Sequence, residues 1–308
     1  MGSNCICCDS INWSTIPYIK EFSYQRCNEC GYYIQDRLLT SSHEEYFELE
    51  QEKYYGDESL VFQEEPNIIE KEIIKERVKV ITTFLKVNSS IIEAGPGGGG
   101  VLRELVALGH DITAVEHSEF LANKLRTFSA NVIVSEFEEI NTHEFRGKYD
   151  AFCSFHVIEH VNDVLQHLMK ANELVKSGGF AFIATPNADS WQNIFPYTLS
   201  PNFDTAHFQL FSKKALQHAL QKTGWELIFV KTPEYTFSWL RVFTKILRRI
   251  RKKDESLTAG EYAQKFSFSK RIIYHTFKVL SFPLRWFQQK KKRGNELYIV
   301  ARKIKGNI

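Results

Sequence analysis

No apolar run in this 308-residue sequence approaches the roughly 20 residues that a membrane-spanning helix needs. The N-terminus is polar and cysteine-rich, where a secretory signal would be basic and then apolar. Both absences point to a cytoplasmic protein. Net charge is almost lacking at +2, and the composition excludes wholesale disorder. Beyond residue 30 cysteine is nearly absent: only Cys153 of the six lies there, and its apolar strand context reads as a small core residue. The length allows one substantial core and a smaller unit.

What is present at the N-terminus is a cysteine cluster. Cys5-Ile-Cys7-Cys8 and Cys27-Asn-Glu-Cys30-Gly31 form two C-x2-C pairs, with Cys5, Cys8, Cys27 and Cys30 as the natural ligand set and Cys7 as a bystander. In a reducing compartment such a cluster reads as metal ligation rather than disulfides. Four thiolates on two tight turns make a closed tetrahedral zinc site, which implies a structural role. Residues 1–40 are therefore expected to be a zinc ribbon. A connector follows over residues 41–66, acidic and rich in Tyr46, Phe47, Tyr54 and Tyr55, with a short amphipathic helix. Between Asn67 and Leu85, Ile69, Ile73, Ile74, Val78 and Ile81 recur at helical spacing, and this helix should lie against a sheet.

The stretch Ile91-Ile-Glu93-Ala-Gly95-Pro-Gly97-Gly-Gly99-Gly100 ends a buried strand in a turn that lets backbone approach a ligand before a helix starts. Gly95, Gly97 and Gly100 satisfy a dinucleotide fingerprint, with Glu116 about 20 residues on, so a nicotinamide coenzyme is one reading. Glu93 favours another. A carboxylate just before the first glycine repels a pyrophosphate and suits a ligand carrying an ammonium group, such as S-adenosylmethionine. Strands over Asp111–Glu116, Val132–Val134, Tyr149–Phe155 and Phe180–Ala184 alternate with helices, and Ser177-Gly178-Gly179 reads as a helix stop. That alternation implies an α/β protein with a parallel, doubly wound sheet, whose ligands bind at the carboxyl ends of the strands.

From about Ile68 to Gln221 the sequence resembles class I S-adenosylmethionine-dependent methyltransferases, several separated motifs agreeing in order. The resemblance implies a mostly parallel seven-stranded Rossmann-like sheet over residues 67–308. Glu93, Gly95, Gly97 and Gly99 resemble the first motif, around the methionine part of the cofactor. Glu116 resembles the acidic residue that holds the ribose hydroxyls. Glu136-Phe137 stands where the family binds adenine. Phe155 to His160 resembles the fourth motif and its extension. His156, Glu159 and His160 leave the fourth strand together, and an imidazole suits proton removal from a hydroxyl; the competing reading is that His156 packs beside the cofactor while Glu159 and His160 cap the next helix. A related ubiquinone-pathway O-methyltransferase family carries Glu-x-x-Glu-His here with a divalent metal. His156 replaces its first carboxylate, so a divalent metal at the acceptor site is not expected. In Asp204-Thr205-Ala206-His207-Phe208 the resemblance implies that His207 can face the acceptor, and Trp191, Phe195, Pro196 and Tyr197 serve as its wall or as core. The four-cysteine ribbon with this catalytic part is similar to methyltransferases of bacterial polysaccharide and sugar-modifying pathways. That implies a sugar or lipid-linked glycan acceptor. A quinone or other small-molecule acceptor and a non-enzymatic scaffold are the alternatives.

Residues 234–293 are an insertion between two strands expected to pair, Trp225–Lys231 and Leu297–Lys303. The insert carries about sixteen Lys and Arg against about four Asp and Glu, leaving the rest of the chain acidic by about ten. Apolar and cationic residues segregate along Trp239–Ile250 and Ile272–Phe287. The pattern is that of an interfacial helix drawn to anionic lipid at the inner face of the membrane, or of a lid packed over the acceptor pocket. It belongs to no recognised RNA or DNA module, so nucleic acid is not expected as a partner.

Overall fold

The computed structural model of the protein describes residues 4–19, 22–39, 66–128, 130–194, 200, 202–203, 206–250 and 268–304. The connector over residues 41–65, Phe195, Pro196, Tyr197, Asp204 and Thr205 lie outside them. The chain divides into two compact units: Met1–Asp57 with Thr185–Leu216 and Lys231–Leu297, and Glu58–Ala184 with Gln217–Val230 and Tyr298–Ile308.

In the first unit, β1 (Trp13–Ile19), β2 (Phe22–Cys27) and β3 (Tyr33–Gln35) form an antiparallel meander. The ribbon does not close on itself. A two-residue strand from far downstream, Gln209–Leu210, completes the sheet through Tyr33↔Leu210 and Ile34↔Gln209. Phe22, Tyr24, Tyr33, Ala188, Phe203 and Leu210 share a small core, with Phe203 edge-on to the rings of Tyr24 and Tyr33.

In the second unit, α1 (Ile68–Phe84) opens with a capping box: Asn67 accepts from the Ile69 and Glu70 amides, and Glu70 accepts from the Asn67 amide. Its last turn puts Phe84 against Phe180, Phe182 and Phe229, so the helix lies on the sheet as its periodicity requires. Then come β4 (Ser90–Ala94), α2 (Gly100–Ala107), β5 (Asp111–Glu116), α3 (Glu119–Arg126), β6 (Asn131–Val134), β7 (Tyr149–Phe155), α4 (Val164–Leu174) and β8 (Val175–Pro186); after β9, the Gln209–Leu210 strand of the first unit, the chain continues with α5 (Lys213–Lys222), β10 (Trp225–Lys231) and β11 (Glu296–Lys303). The large sheet has the order β10-β11-β8-β7-β4-β5-β6. The pairs β4–β5, β4–β7, β5–β6 and β7–β8 are parallel. The order reverses at β4, and a parallel sheet offers its ligand site at the carboxyl ends beside such a switch. Cys153 is fully buried in the core, among Ile91, Phe182 and their neighbours, as its apolar context implies.

Two local expectations differ from the structure. Ser177-Gly178-Gly179 does not end a helix: α4 stops at Leu174, and the glycines lie inside β8 at an irregularity where Tyr149 pairs with Val175 but Ala151 with Phe180. A Cβ on Gly179 would come 2.6 Å from the Asp150 carbonyl, so the glycine is required by the close approach of the neighbouring strand. The helix after the fourth strand is capped by Asp163, which accepts from the Leu165 and Gln166 amides; Glu159 and His160 do not cap it.

The insert is helical. Its described part comprises α6 (Thr236–Ile250), α7 (Phe268–Leu280) and α8 (Phe282–Lys290). The apolar stretch from Ile272 to Phe287 breaks at Ser281, because Pro283 in the first turn of α8 lacks the amide that a continuous helix would use.

Candidate active site

The glycine turn follows β4, and its glycines have different reasons to be there. Gly99, at φ +68°, is the residue from which α2 starts, and a Cβ on it would meet Leu125 Cδ2 at 2.5 Å. Gly97, at φ +54°, has nothing within 4 Å of its missing Cβ. Gly99 is fixed by packing, whereas half-buried Gly97 borders open space where a side chain would stand. Gly95 is held by its amide to the Val115 carbonyl at 2.9 Å, and a Cβ there would touch Val157 Cγ2 at 2.9 Å. That contact sets the glycine turn beside the segment that follows β7.

Glu116, at the end of β5, is buried. One carboxylate oxygen accepts from the Gly97 amide at 3.3 Å and the other from the Ser118 amide at 3.1 Å, with His117 Nδ1 3.3 Å away. The acidic residue and the glycine turn are thus one constellation. Glu93 is 3 % exposed, and its Oε2 has no hydrogen-bond partner among the described residues. Burial pushes its carboxyl up to about 8, against the opposing pull of the Arg77 guanidinium, which itself lies over the Phe155 ring. A buried, unsatisfied carboxyl beside an open glycine is the feature that a cationic ligand would complete. The residues therefore fit a cofactor carrying an ammonium group and a ribose.

Glu136 follows β6, and burial raises its carboxyl while nearby His117 pulls it back. The ring of Phe137 turns inward between Phe152 and His167, with centroids 5.1 and 4.8 Å away. Phe137 can therefore offer a ligand its backbone but not its ring. Glu138, beside it, is tied to buried His167 Nδ1 at 2.5 Å. Burial alone would raise its carboxyl, yet this bond and charge hold it below the usual carboxylate range.

After β7 the chain turns sharply. His156 has φ +59°, a left-handed backbone that costs a non-glycine residue energy and is found preferentially at functional sites. Its amide donates to the Ala184 carbonyl, and the His160 amide donates to the Val157 carbonyl, which closes the turn. His156 Nδ1 lies 2.9 Å from Oε1 of Glu159, whose side chain is fully buried while that of the histidine is 43% exposed. A carboxylate accepts, so Nδ1 carries the proton and the lone pair of the neutral ring sits on Nε2. Glu159 and His160 bring a carboxylate oxygen and a ring nitrogen within 4.8 Å of one another.

His207 lies in the other unit, held by the ribbon. Its carbonyl accepts from Tyr24 Oη at 2.8 Å and Gln35 Nε2 at 3.0 Å, and its Nδ1 lies 2.8 Å from the Asn202 carbonyl. That carbonyl assigns the Nδ1–H tautomer here too. Trp191 packs against Phe287 of α8, with its amide donating to the Arg293 carbonyl, and so serves the packing of the insert.

The four expected metal ligands come together. Cys5 Sγ lies 3.6 Å from Cys30 Sγ, Cys8 Sγ 3.6 Å from Cys27 Sγ, and all four sulfurs within 4.8 Å of one another. A zinc–sulfur bond of about 2.3 Å gives a tetrahedral sulfur–sulfur edge of about 3.8 Å, so the donor set fits zinc. The two turns repeat one geometry: the Asp9 amide donates to the Cys5 carbonyl and the Gly31 amide to the Cys27 carbonyl, and both Asp9 and Gly31 have left-handed backbones. The Cys30 carbonyl accepts from Ser212 Oγ, the hydroxyl that also accepts from the Ala215 amide to cap α5, and the Glu29 carbonyl accepts from Lys214 Nζ. No sequence signal shows that the ribbon grips residues 207–214, because its partners stand more than 170 positions away.

Comparison with known proteins agrees with this fold. The profile of a methyltransferase-domain family matches residues 68–230. The ubiquinone biosynthesis O-methyltransferase of Hydrogenovibrio crunogenus is 28% identical over 119 residues, 36% of this chain and 48% of that protein. The chain thus spans about half or less of the length of such relatives. Among solved structures, a SAM-dependent methyltransferase from Archaeoglobus fulgidus superposes with a TM-score of 0.50 at 18% identity, covering 84% of this chain and 100% of that one. A sarcosine dimethylglycine methyltransferase homologue from Galdieria sulphuraria gives 0.50 at 14%, covering 76% and 86%. The chain belongs to the methyltransferase-domain family of class I, whose cofactor is S-adenosylmethionine.

Proposed function

We propose that the protein transfers a methyl group to a hydroxyl of a sugar or lipid-linked glycan intermediate, with His156 as the general base. The His156–Glu159 pair supports the base: a half-exposed imidazole on a strained turn, its Nδ1–H held by a buried carboxylate, its turn seated against Gly95 through Val157; the glycan acceptor rests on the resemblance of the four-cysteine ribbon and catalytic part to sugar-modifying methyltransferases. When bound, the cofactor supplies an electrophilic methyl carbon on a sulfonium. Glu93 faces its ammonium, Gly95, Gly97 and Gly99 admit its methionine part, and Glu116 holds its ribose hydroxyls. Glu136 and the Phe137 backbone hold its adenine. The acceptor's proton moves to His156 Nε2, and Glu159 stabilises the imidazolium that forms. His207, with its tautomer set by the Asn202 carbonyl, is the second candidate imidazole for proton removal, and His160 keeps the turn after β7 closed. The four cysteines hold a structural zinc.

A second reading, methylation of a quinone or other small phenolic acceptor, is favoured by the name of the relatives, ubiquinone biosynthesis O-methyltransferases. Labelled S-adenosylmethionine incubated with lysate fractions separates the two by whether label enters a glycan or a quinone. His156→Ala is expected to lower turnover about 10²- to 10⁴-fold with cofactor affinity unchanged. Unaltered turnover in His156→Ala overturns the base, and unaltered turnover in His207→Ala removes the second imidazole.

A further inference from the structure

Two helices of the insert, α7 and α8, bury mostly polar residues and expose apolar ones, whereas α6 buries Trp239 and Val242. Along α7 and α8 the buried positions are Tyr274, Ser281, Arg285 and Gln288. The last three are polar, and a network consumes them: Gln288 donates to the Glu234 carboxylate and accepts from Trp239 Nε1, and Arg285 donates to the carbonyls of Glu234 and Lys278. The opposite face is open and mostly apolar, interrupted on α7 by exposed His275 and Thr276. Ile272, Ile273, Val279 and Leu280 are each more than half exposed; Val279 and Leu280, at seven- and eight-residue offsets from Ile272, share its stripe, and Ile273 lies at the margin. Phe282, Leu284, Trp286 and Phe287 are likewise exposed on α8, and Phe243, Leu247 and Ile250 on α6, whose Phe243 ring meets Phe277 of α7 edge-on at 5.6 Å. Of the twenty large apolar side chains exposed among the described residues, eleven fall between Phe243 and Phe287. Single exposed apolar residues need no explanation, but a contiguous set of this size does.

Charge says what covers it. The three helices contain no Asp or Glu, and Lys290 and Lys291 stand over the rings of Trp286 and Phe287, at 5.7 and 5.4 Å. Lysines beside interfacial aromatics are the arrangement that seats a helix at lipid headgroups. The rest of the chain is acidic by about ten, so the cationic charge that an anionic surface attracts is concentrated in the insert. No helix of the described residues is long and apolar enough to cross a bilayer. We infer that the apolar face of α6, α7 and α8 docks in the plane of an anionic phospholipid bilayer, with Trp286 and Phe282 as anchors and Lys290 to Lys292 on the headgroups.

This inference is independent of the acceptor's identity. The full chain is floated with vesicles of phosphatidylcholine alone and with phosphatidylglycerol added, at low and high salt. S-adenosylhomocysteine binding is measured on the same samples, so that a lost cofactor site is told apart from a lost membrane face. Flotation is expected only with the anionic vesicles, weakened by salt. Lys290→Glu with Lys291→Glu should lower partitioning by about fivefold or more per residue. A variant with Val279, Leu280, Phe282 and Trp286 all changed to Ser should not float, yet should bind S-adenosylhomocysteine normally. Failure to float with either vesicle overturns the inference, as does flotation retained by the serine variant. A dimer in lipid-free buffer that the serine variant abolishes, without flotation, also overturns it and assigns the face to a second copy of the chain.

Discussion

Glu93 makes the affinity for the cofactor depend on pH in a predictable direction. Burial places its carboxyl at about 8, so at pH 7 about a tenth of the molecules carry the charge. If the bound ammonium requires the carboxylate, only that fraction is competent and the apparent affinity at pH 7 is about tenfold weaker than the intrinsic one. Affinity should therefore improve about tenfold from pH 6 to 7. The gain flattens near pH 8, where Glu93 is half ionised and an α-amino group begins to lose its own proton. Calorimetric titration with S-adenosylhomocysteine across pH 6 to 8.5 measures this, and Glu93→Gln should flatten the lower limb. Stability runs the other way. The folded pKa is raised, so the stabilisation from the neutral carboxyl is complete below the ordinary carboxylate range and is lost as pH climbs through 8. The Gln variant should lose part of that thermal slope. Affinity independent of pH below 8 in the wild type, or an unchanged slope in Glu93→Gln, refutes the assignment.

Three further outcomes follow from packing. Chelation of the proposed zinc, or Cys30→Ser, should speed amide exchange in Gln209 to Ala215 as well as in the ribbon, since the Cys30 carbonyl holds Ser212 and β9 pairs with β3; protection unchanged at β9 would show that the ribbon does not hold that segment. Gly99→Ala places a methyl 2.5 Å from Leu125 at a positive φ and should cost about 1–3 kcal/mol of stability, read by thermal melting; Gly97→Ala meets nothing and should cost about 1 kcal/mol while weakening cofactor binding more. Glu234 accepts from Gln192, Gln288 and the Asn295 amide; Gln288 keeps the Gln192 and Arg293 oxygens as acceptors, so Glu234→Ala strands the Gln192 and Asn295 donors and should cost about 2 kcal/mol, with proteolysis of the insert as a second readout.

Much of this was legible because it is local. Alternation and glycine chemistry place β5, β7 and β10 to the residue, and the two C-x2-C pairs place the sulfurs. Glycine misleads at Gly178-Gly179, because the same residue type ends helices and relieves crowding between strands; only the neighbouring strand's Asp150 carbonyl decides which. In the insert the segregation of apolar and cationic residues is visible in the chain, but which face is buried is not. That depends on Glu234 meeting Gln192 and Gln288, 42 and 54 positions away. His156 is recognisable as an imidazole at a strand end, whereas its backbone strain and its bond to Glu159 are properties of the turn.

The twin cysteine turns have unequal freedom to vary. Asp9 is exposed, and glycine or asparagine would adopt its left-handed backbone without disturbing the sulfurs. Gly31 has the same backbone, but a side chain there would press on Ser212 Cβ at 3.2 Å and lift the start of α5 away from the ribbon. One half of the grip is open to drift in sequence, while the other is locked by what rests on it.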